Sequence, residues 1–328
     1  MTYKKIAQIA NVSLSTVSKA LSGSKEVSAE LTQEIVRIAN EIGYFEQKRK
    51  RKIEYTKLGA VTIAIICPEI ISLFYANEIT AIKNEIEALG GLCAVYVYDF
   101  DTKKFDKILE QITVRNSADG IVMFPPECYT QSTSIPIVCL SSSKNIRYDT
   151  VFCDPNLYLL DMVRYLKDLG HTDIAFVGEP NTTVKSEAYK KAMYELELPY
   201  IPENEYIINE RFEEIGYQAA QQIMQKDNLP TAIICAYDEI ALAMIHSFSK
   251  HGIKVPEQIS IMGINDIPMS TYAQIPLTTV RIFHDEQGAL AVNMLYDKIF
   301  KNSTATQHVS IEHCLIERQS TGKVRKSK

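Results

Sequence analysis

Residues 6–21 of the chain read Ile-Ala-Gln-Ile-Ala-Asn-Val-Ser-Leu-Ser-Thr-Val-Ser-Lys-Ala-Leu. Apolar residues recur every three or four positions from Ile6 to Leu21, which predicts two short helices with one buried face each. Asn11 lies between them, where a helix ends in a left-handed residue and Asn adopts that backbone readily. Two short helices across a tight turn form a helix-turn-helix, whose second helix enters the major groove of DNA.

The side chains at the start of this second helix are the candidates for DNA contact, because that end leads into the groove. Leu14, Ser15 and Lys19 are expected to face base edges. Lys19 can donate to guanine O6 or N7, and Leu14 can touch a thymine methyl group. Phosphate contacts are expected from three hydroxyl side chains, those of Ser13, Thr16 and Ser18. The alternative is a plain helical hairpin with a solvated lysine.

A third helix is predicted to complete this N-terminal unit, with Ser28 as its cap, an apolar stripe from Leu31 to Ile42, and Gly43 at its end. The charge of the chain agrees with this division. Residues 1–58 carry 11 Lys and Arg and 6 Asp and Glu, a net charge of +5, whereas the remainder carries −10. A basic head on an acidic body indicates that the head binds nucleic acid.

Length and composition describe a folded protein of two or three domains. The 328 residues are 46% hydrophobic and 23% charged, which excludes disorder, collagen or a coiled coil for the whole chain. The 7 cysteines include no C-x-x-C pair, and no apolar signal sequence begins the chain, so we expect a cytoplasmic location. The longest apolar run, from Leu58 to Cys67, is about half the length of a membrane helix, so no membrane partner is predicted.

From Gly59 onward, short apolar runs alternate with helical patterns, which is typical of parallel βαβ units. These units are too many for one small sheet, so we expect two doubly wound α/β subdomains with a ligand cleft at the carboxyl ends of the strands. The predicted strands are 60–67, 92–98, 119–124, 136–140, 173–178, 231–235 and 259–264. The predicted helices are 75–89, 103–115, 156–169, 184–196, 215–226, 239–251 and 285–301.

Motifs of catalysis are missing from the sequence. It contains no G-x-S-x-G elbow, no phosphate-binding loop, no G-x-G-x-x-G fingerprint and no H-E-x-x-H pair. We therefore expect no catalytic residues, no metal site and no cofactor. An enzyme with a fused DNA-binding head stays an alternative, because doubly wound folds support many chemistries.

Several motifs along the chain together resemble the LacI/GalR family of transcription regulators. In the head they are Val12-Ser13, Thr16-Val17-Ser18 and Gly43-Tyr44. In the body they are Gly170 to Val177, Val255 to Gly263, Pro276 to Val280 and Glu317 to Thr321. The resemblance spans nearly the whole chain.

This resemblance implies a helix-turn-helix headpiece (1–45), a basic hinge (46–58) and a periplasmic-binding-protein-like body (59–328). Within the body it implies one subdomain of about 59–155 and 285–318 and another of about 156–284. The implied function is a regulator, most often a repressor, that binds a pseudo-palindromic operator in double-stranded DNA as a homodimer. A small-molecule effector bound between the subdomains, such as a carbohydrate or related metabolite, would control operator affinity.

The hinge departs from the family pattern. Arg51 is retained, but Ile53 stands where the family has the leucine that wedges into the minor groove. Lys50 replaces an alanine, and Glu46-Gln47 replaces Pro-Asn. A basic linker that contacts only phosphates is the alternative for this segment. A binding module without specific DNA recognition is the corresponding alternative for the whole protein.

The resemblance also implies six effector-binding positions: Phe74, Tyr75, Lys185, Phe212, Tyr237 and Asn265. Lys185 stands where sugar-binding members have Arg, and Tyr237 and Asn265 replace Asn and Asp. A lysine lacks the bidentate fork of arginine, and the lost carboxylate removes a grip on sugar hydroxyls. The substitutions therefore favour a ligand with a negative group or an aromatic ring over a neutral free sugar. Asp238 is read first as the cap of the helix that follows it.

Overall fold

The structure is a computed structural model that describes residues 3–21, 26–44, 61–126, 133–141, 147–301 and 303–325. The predicted hinge lies outside these residues, and so do its two candidate DNA contacts, Arg51 and Ile53. Within the described residues, no helix combines the length and the apolarity that crossing a bilayer requires.

The headpiece is a bundle of three helices around one small core. The helices are α1 (Tyr3–Ala10), α2 (Leu14–Leu21) and α3 (Ala29–Glu41). Asn11 has a φ of 51°, as expected for the residue that ends α1. Ser28 caps α3 by accepting a hydrogen bond from the Leu31 amide at 3.2 Å. The core is formed by fully or nearly fully buried side chains of all three helices: Ile6, Ala7, Val17, Ala20, Ile35, Ile38 and Ala39.

The chain divides into two compact units. Unit 1 comprises Met1–Phe152 and Phe283–Ile311, and unit 2 comprises Cys153–Ile282 and Glu312–Lys328. The expected assignment of residues 285–318 to the first subdomain is therefore wrong at its end. Residues 313–316 form a strand of the unit 2 sheet, because they pair with the strand that runs from Thr278 to Ile282.

Unit 1 is built on a six-stranded sheet in the order β11-β5-β4-β3-β1-β2. Its strands are β1 (Thr62–Cys67), β2 (Leu92–Val97), β3 (Gly120–Met123), β4 (Ile137–Leu140), β5 (Asp149–Cys153) and β11 (His308–Ile311). Its helices are α4 (Leu73–Ala88), α5 (Thr102–Arg115) and α11 (His284–Lys301). Strands β2, β1, β3, β4 and β5 are parallel to one another. The strand order reverses between β1 and β3.

Helices α4 and α11 of unit 1 are in backbone contact. A Cβ atom built at Gly288 would lie 2.9 Å from the Cβ of Ala81 and from the Ile82 amide nitrogen. Only glycine fits at that approach, and the contact fixes the first turns of α11 against the middle of α4.

Unit 2 repeats the same plan, with a six-stranded sheet in the order β12-β10-β9-β8-β6-β7. Its strands are β6 (Ile174–Gly178), β7 (Glu205–Ile207), β8 (Ala232–Cys235), β9 (Ser260–Asn265), β10 (Thr278–Ile282) and β12 (His313–Ile316). Its helices are α6 (Pro155–Asp168), α7 (Thr183–Glu195), α8 (Glu213–Met224), α9 (Asp238–Lys250) and α10 (Pro268–Tyr272). All neighbours are parallel except β12, which is antiparallel to β10.

The last strand of unit 2 is held by a buried arginine and carboxylate. Arg318 donates to the Asp266 carboxylate at 2.6 Å and to the Leu277 carbonyl at 2.7 Å. Asp266 also pairs with Arg281 of β10. This cluster fastens the segment after β12 to the edge of the sheet.

Candidate DNA-binding and effector sites

The start of α2 is organised by two hydroxyls that sequence analysis assigned to DNA phosphates. The Oγ of Ser13 accepts the amide of Thr16 at 3.0 Å, which makes Ser13 the cap of α2. The two hydroxyl oxygens lie 2.8 Å apart. Ser13 is exposed, and Leu14, Thr16 and Ser18 are partly exposed, so this end of the helix presents most of the predicted contact residues together.

Ser15 departs from this pattern. Sequence analysis assigned it to base edges, but its side chain is buried, with 7% of the residue exposed. The helical period places it on the side of α2 away from the core residue Val17. Its contact with a base edge stays a prediction.

Lys19 is the one cation that was assigned to base reading, and the structure gives it a partner that sequence analysis missed. Its ammonium forms an ion pair with the carboxylate of Glu26, which lies in the turn before α3. The side chains are 23% and 50% exposed. DNA and Glu26 therefore compete for the same ammonium group.

In unit 2, the strand order reverses between β6 and β8, and the residues that follow these two strands meet. Doubly wound sheets bind ligands at such a point, at the carboxyl ends of the strands. The Tyr237 hydroxyl, after β8, donates to the carboxylate of Glu179, after β6, at 2.6 Å. Arg211 donates to the same Glu179 oxygen at 2.7 Å. Glu179 is 2% exposed, so its carboxylate is buried, whereas Arg211 and Tyr237 are partly exposed.

Lys185, in the first turns of α7, lies against the same network. Its ammonium donates to the Ala236 carbonyl at 2.8 Å and lies 4.7 Å from the centre of the Tyr237 ring. Burial lowers the pKa of Lys185 to about 8, although the charges of Glu239 and Asp238 oppose that shift. A lysine held in this way is already matched inside the protein before any ligand arrives.

Phe212 precedes α8 with a φ of 52°, which a bulky residue rarely adopts. The guanidinium carbon of Arg211 lies 4.6 Å from the centre of its ring. Strained backbone of this kind costs about 1 to 3 kcal/mol and concentrates at functional sites. The predicted aromatic wall is thus held in place next to the network.

Two buried acceptor atoms of unit 2, one of them on a predicted effector residue, have no hydrogen-bond partner among the described residues. They are Oδ1 of Asn265, at the end of β9, and Oε2 of Glu239, in the first turn of α9. Burial raises the pKa of Glu239. These two acceptors are unmatched, whereas the Lys185 ammonium and the Arg211 guanidinium both have acceptors.

Asp238 is not the cap of α9 that the sequence suggested. The helix begins at Asp238 itself, and the carboxylate accepts three hydrogen bonds from a distant segment. The donors are the Ile267 amide at 2.8 Å and the hydroxyls of Ser270 at 2.8 Å and Thr279 at 2.5 Å. Asp238 is therefore a structural link between α9, α10 and β10.

In unit 1, Phe74 and Tyr75 begin α4, which follows β1. Their ring centres are 5.0 Å apart. The Tyr75 ring also packs edge-on against Phe124, the residue after β3, at 5.3 Å. Tyr98 donates to the Phe124 carbonyl at 3.0 Å and so holds that residue in place. These aromatic side chains lie at the carboxyl ends of β1 and β3, where the strand order of unit 1 reverses.

Neither unit, in the part of the chain described, brings three His, Cys, Asp or Glu side chains together as a metal site would require. Three of the predicted effector residues of unit 2, Lys185, Phe212 and Tyr237, lie around one network, Asn265 ends β9, and the two of unit 1 are adjacent. An effector position between the units stays a prediction.

Residues 2–47 match the lacI family of bacterial regulatory proteins, and residues 163–321 match the periplasmic binding protein-like domain. The HTH-type transcriptional repressor PurR of Pasteurella multocida is 30% identical over 335 residues, which cover 97% of this chain and 98% of the relative. The chain belongs to the LacI family.

As a LacI-family member, the protein is a DNA-binding transcription regulator with an effector-binding body, and the predicted family is confirmed. Catabolite control protein A of Priestia megaterium is 27% identical over 98% of this chain and 99% of its own. The relatives named here are regulators of transcription.

Solved structures agree on the fold, and the predicted fold class is confirmed. The lac repressor dimer bound to operator and the anti-inducer ONPF has a TM-score of 0.73, at 19% identity, over 98% of this chain and 99% of that one. A LacI-family regulator from Enterococcus faecium with bound ribose has a TM-score of 0.71, at 21% identity, over 80% and 100%.

Several residues of the LacI-type sites escaped the sequence analysis. Glu179 follows β6, and Arg211 lies just before α8. Both carry charge, but neither belongs to a local sequence motif. Only the rule that ligands bind where strand order reverses could have singled them out. Glu26 was visible as a charge next to the helix-turn-helix, but its pairing with Lys19 depends on how α3 packs.

Replacing Lys185 with Met should raise the free energy of unfolding at pH 7 by about 1 to 2 kcal/mol. The lowered pKa of Lys185 shows that burying its charge is unfavourable. Methionine removes this cost, which is larger than the stabilisation lost with the hydrogen bond to the Ala236 carbonyl. Urea unfolding of both proteins measures the difference. Lys190→Met, at a more exposed lysine of the same helix with carboxylate partners, is the control and should not stabilise. Lower stability for the Lys185 variant would contradict the expectation.

Proposed function

We propose that the protein is a repressor that binds a pseudo-palindromic operator in double-stranded DNA as a homodimer. The observation that carries the proposal is the headpiece. A capped α2 presents Leu14, Thr16 and Ser18 together with Lys19, in a segment that matches the family throughout. Two copies of such a head fit two half-sites related by a two-fold axis. The PurR relatives are repressors by name, which supports the direction of the effect.

The effector is proposed to contact Phe74 and Tyr75 in unit 1 and Lys185, Phe212, Tyr237 and Asn265 in unit 2. A carbohydrate or related metabolite is the first class to consider, and one regulator of this fold was solved with ribose. We propose that effector binding changes operator affinity, so that DNA binding changes effector affinity by the same factor. We further propose that the protein works in the cytoplasm and catalyses no reaction.

Selection of binding sites from a random duplex pool tests this function. The intact protein is used at near-physiological salt, with and without a pool of small metabolites. Enrichment of a pseudo-palindrome is the expected result. If no sequence is enriched under either condition and affinity for all duplexes falls equally with salt, the head binds DNA without specificity and the proposal fails.

The hinge is proposed to place Ile53 as a wedge in the central base step, with Arg51 on the DNA backbone. Ile53→Ser should then weaken binding to the selected duplex by about tenfold or more, because unstacking is no longer compensated by apolar contact. Binding to a random duplex should change little. Titration of both duplexes measures the two affinities separately. Equal losses of affinity for the two duplexes would contradict the wedge and support a basic linker that contacts only phosphates.

Replacing Glu26 with Gln should increase DNA affinity about threefold to tenfold at low salt, because it releases Lys19 and removes a negative charge near phosphates. Fluorescence anisotropy with a selected and a random duplex measures the change. Glu30→Gln is the matched control, since Glu30 lies in the same headpiece and bonds to Ser28. An equal gain in the control would assign the effect to net charge alone.

A further inference from the structure

Glu78 is a fully buried carboxylate in the middle of α4, with 0% of the residue exposed. One oxygen, Oε1, accepts a hydrogen bond from Nδ1 of His284 at 2.6 Å. The other oxygen, Oε2, and the second ring nitrogen of His284, Nε2, are both buried and have no partner among the described residues. This buried carboxyl–imidazole pair therefore leaves one oxygen and one nitrogen unmatched.

Leaving these two polar atoms without hydrogen-bond partners has an energetic cost. An unmatched buried polar atom costs about 1 to 3 kcal/mol, and more when the group is charged. Folded proteins rarely tolerate this unless the atom has a functional partner, which is a bound water or a ligand. Glu78 and His284 lie three and four residues before Ala81 and Gly288, the positions at which α4 and α11 touch.

The surroundings of the pair are aromatic. Phe74 and Tyr75 lie four and three residues before Glu78, so the helical period puts all three on one side of α4. The Phe74 ring packs edge-on against the His284 ring, with centres 5.5 Å apart. Phe124, which packs on Tyr75, adds a third ring at the carboxyl end of β3.

The chemistry of these groups selects a ligand class. A carboxylate oxygen only accepts hydrogen bonds, so the partner of Oε2 must be a donor. Aromatic faces attract cations, and the attraction increases when the cation is desolvated. We propose that Glu78 and His284, with Phe74 and Tyr75, bind a small organic cation that carries N–H donors, such as an amine or an amidine. The inference rests on the proposed function and replaces the carbohydrate considered there with an organic cation as the class of the effector.

Unit 2, taken by itself, also favours a ligand that carries hydrogen-bond donors over an anionic one. Its unmatched buried atoms near the candidate residues are the acceptors of Asn265 and Glu239. Its cations are already matched, Lys185 by a carbonyl and Arg211 by Glu179. An anionic ligand would have to displace one of those partners, whereas a donor-bearing cation would not. This reverses the preference for a negative ligand that the substitutions alone suggested.

Both unmatched atoms of the Glu78 pair are covered in this structure. The Phe74 and Tyr75 side chains are only partly buried, so their rotation is the movement that gives a ligand access to Oε2. A flat ligand would then lie against the rings while its N–H groups reach the carboxylate.

Three probes of the same shape test the proposal on the intact protein. Benzamidinium is a cation with N–H donors, benzamide is neutral, and benzoate is an anion. Isothermal titration should rank benzamidinium first, with benzoate at least about tenfold weaker. Glu78→Gln should weaken benzamidinium binding at least about tenfold, because it removes the charge and keeps the shape. Glu87→Gln, in the same helix but paired with Lys83 at the surface, should leave it unchanged.

Equal binding of benzoate and benzamidinium, no binding of benzamidinium, or an unchanged affinity in Glu78→Gln would each overturn the proposal. If Glu78→Gln fails to fold, Phe74→Leu replaces it and should weaken benzamidinium more than benzamide. Binding-site selection contains none of these probes. Its failure would refute the DNA function, and a failure of the titrations alone would refute only the effector class.

Discussion

Raising the pH from 5 to 8 should lower the free energy of unfolding of unit 2 by about 2 to 3 kcal/mol through Asp238. Burial raises the pKa of Asp238 to about 7, despite three hydrogen bonds that favour the charged form. The unfolded chain has the ordinary value of 3.8. Between these values the folded state holds a proton that the unfolded state has lost. Stability therefore decreases as pH rises towards 7 and becomes constant above it, the reverse of the usual carboxylate.

Asp238→Asn isolates this contribution. The Asn oxygen can still accept from the Ile267 amide and the Ser270 hydroxyl, and its amide can donate to Thr279. Urea unfolding of both proteins at several pH values gives the difference, in which the titration of other groups cancels. Asp154→Asn, at the cap of α6, is the control and should keep the original pH dependence. Parallel profiles for the original protein and Asp238→Asn would show that Asp238 does not take up a proton.

Replacing Ile35 with Ala should abolish specific DNA binding while the body stays folded. Ile35 is fully buried among the three helices of the headpiece. The cavity costs about 2 to 5 kcal/mol. A domain of this size has little stability to lose, so we expect the head to unfold and affinity for the selected duplex to fall at least about a hundredfold.

Ile9→Ala is the matched control, because Ile9 is 51% exposed on α1 and its truncation opens no cavity. Anisotropy with the selected duplex measures binding, and thermal unfolding followed at the tyrosines reports the body. Near-normal binding of Ile35→Ala would mean that the head is supported by contacts beyond its own core. Loss of the body transition would show that the head and body do not unfold independently.

Long apolar periods were enough to predict most of the fold. The seven predicted strands and seven predicted body helices all occur with small shifts at their ends. The strands that were missed carry weaker signals. β10 is a buried strand with two threonines and an arginine, so it lacks an apolar run. β12 is short, and its place beside β10 follows from a pairing that no local pattern encodes.

The candidate sites were predictable only where the family pattern or the strand order applies. The resemblance supplied Lys185 and Tyr237, and both lie at the reversal point of unit 2. Asp238 was misread because its three donors lie 29 to 41 residues away in the chain. The burial of Ser15 could not be predicted, because helical spacing gives the face of a side chain but not what covers it.

The chain passes between the two units after Phe152, Ile282 and Ile311, and this has a consequence for synthesis on the ribosome. The headpiece helices end at Glu41, so the head can fold as soon as it leaves the exit tunnel. Unit 1 must wait for α11 and β11, and unit 2 must wait for β12. Neither unit can therefore be complete before residues 308–316 have been synthesised. A ribosome that stops at residue 280 would release a finished DNA-binding head on two unfinished sheets, which would be a substrate for chaperones and proteases.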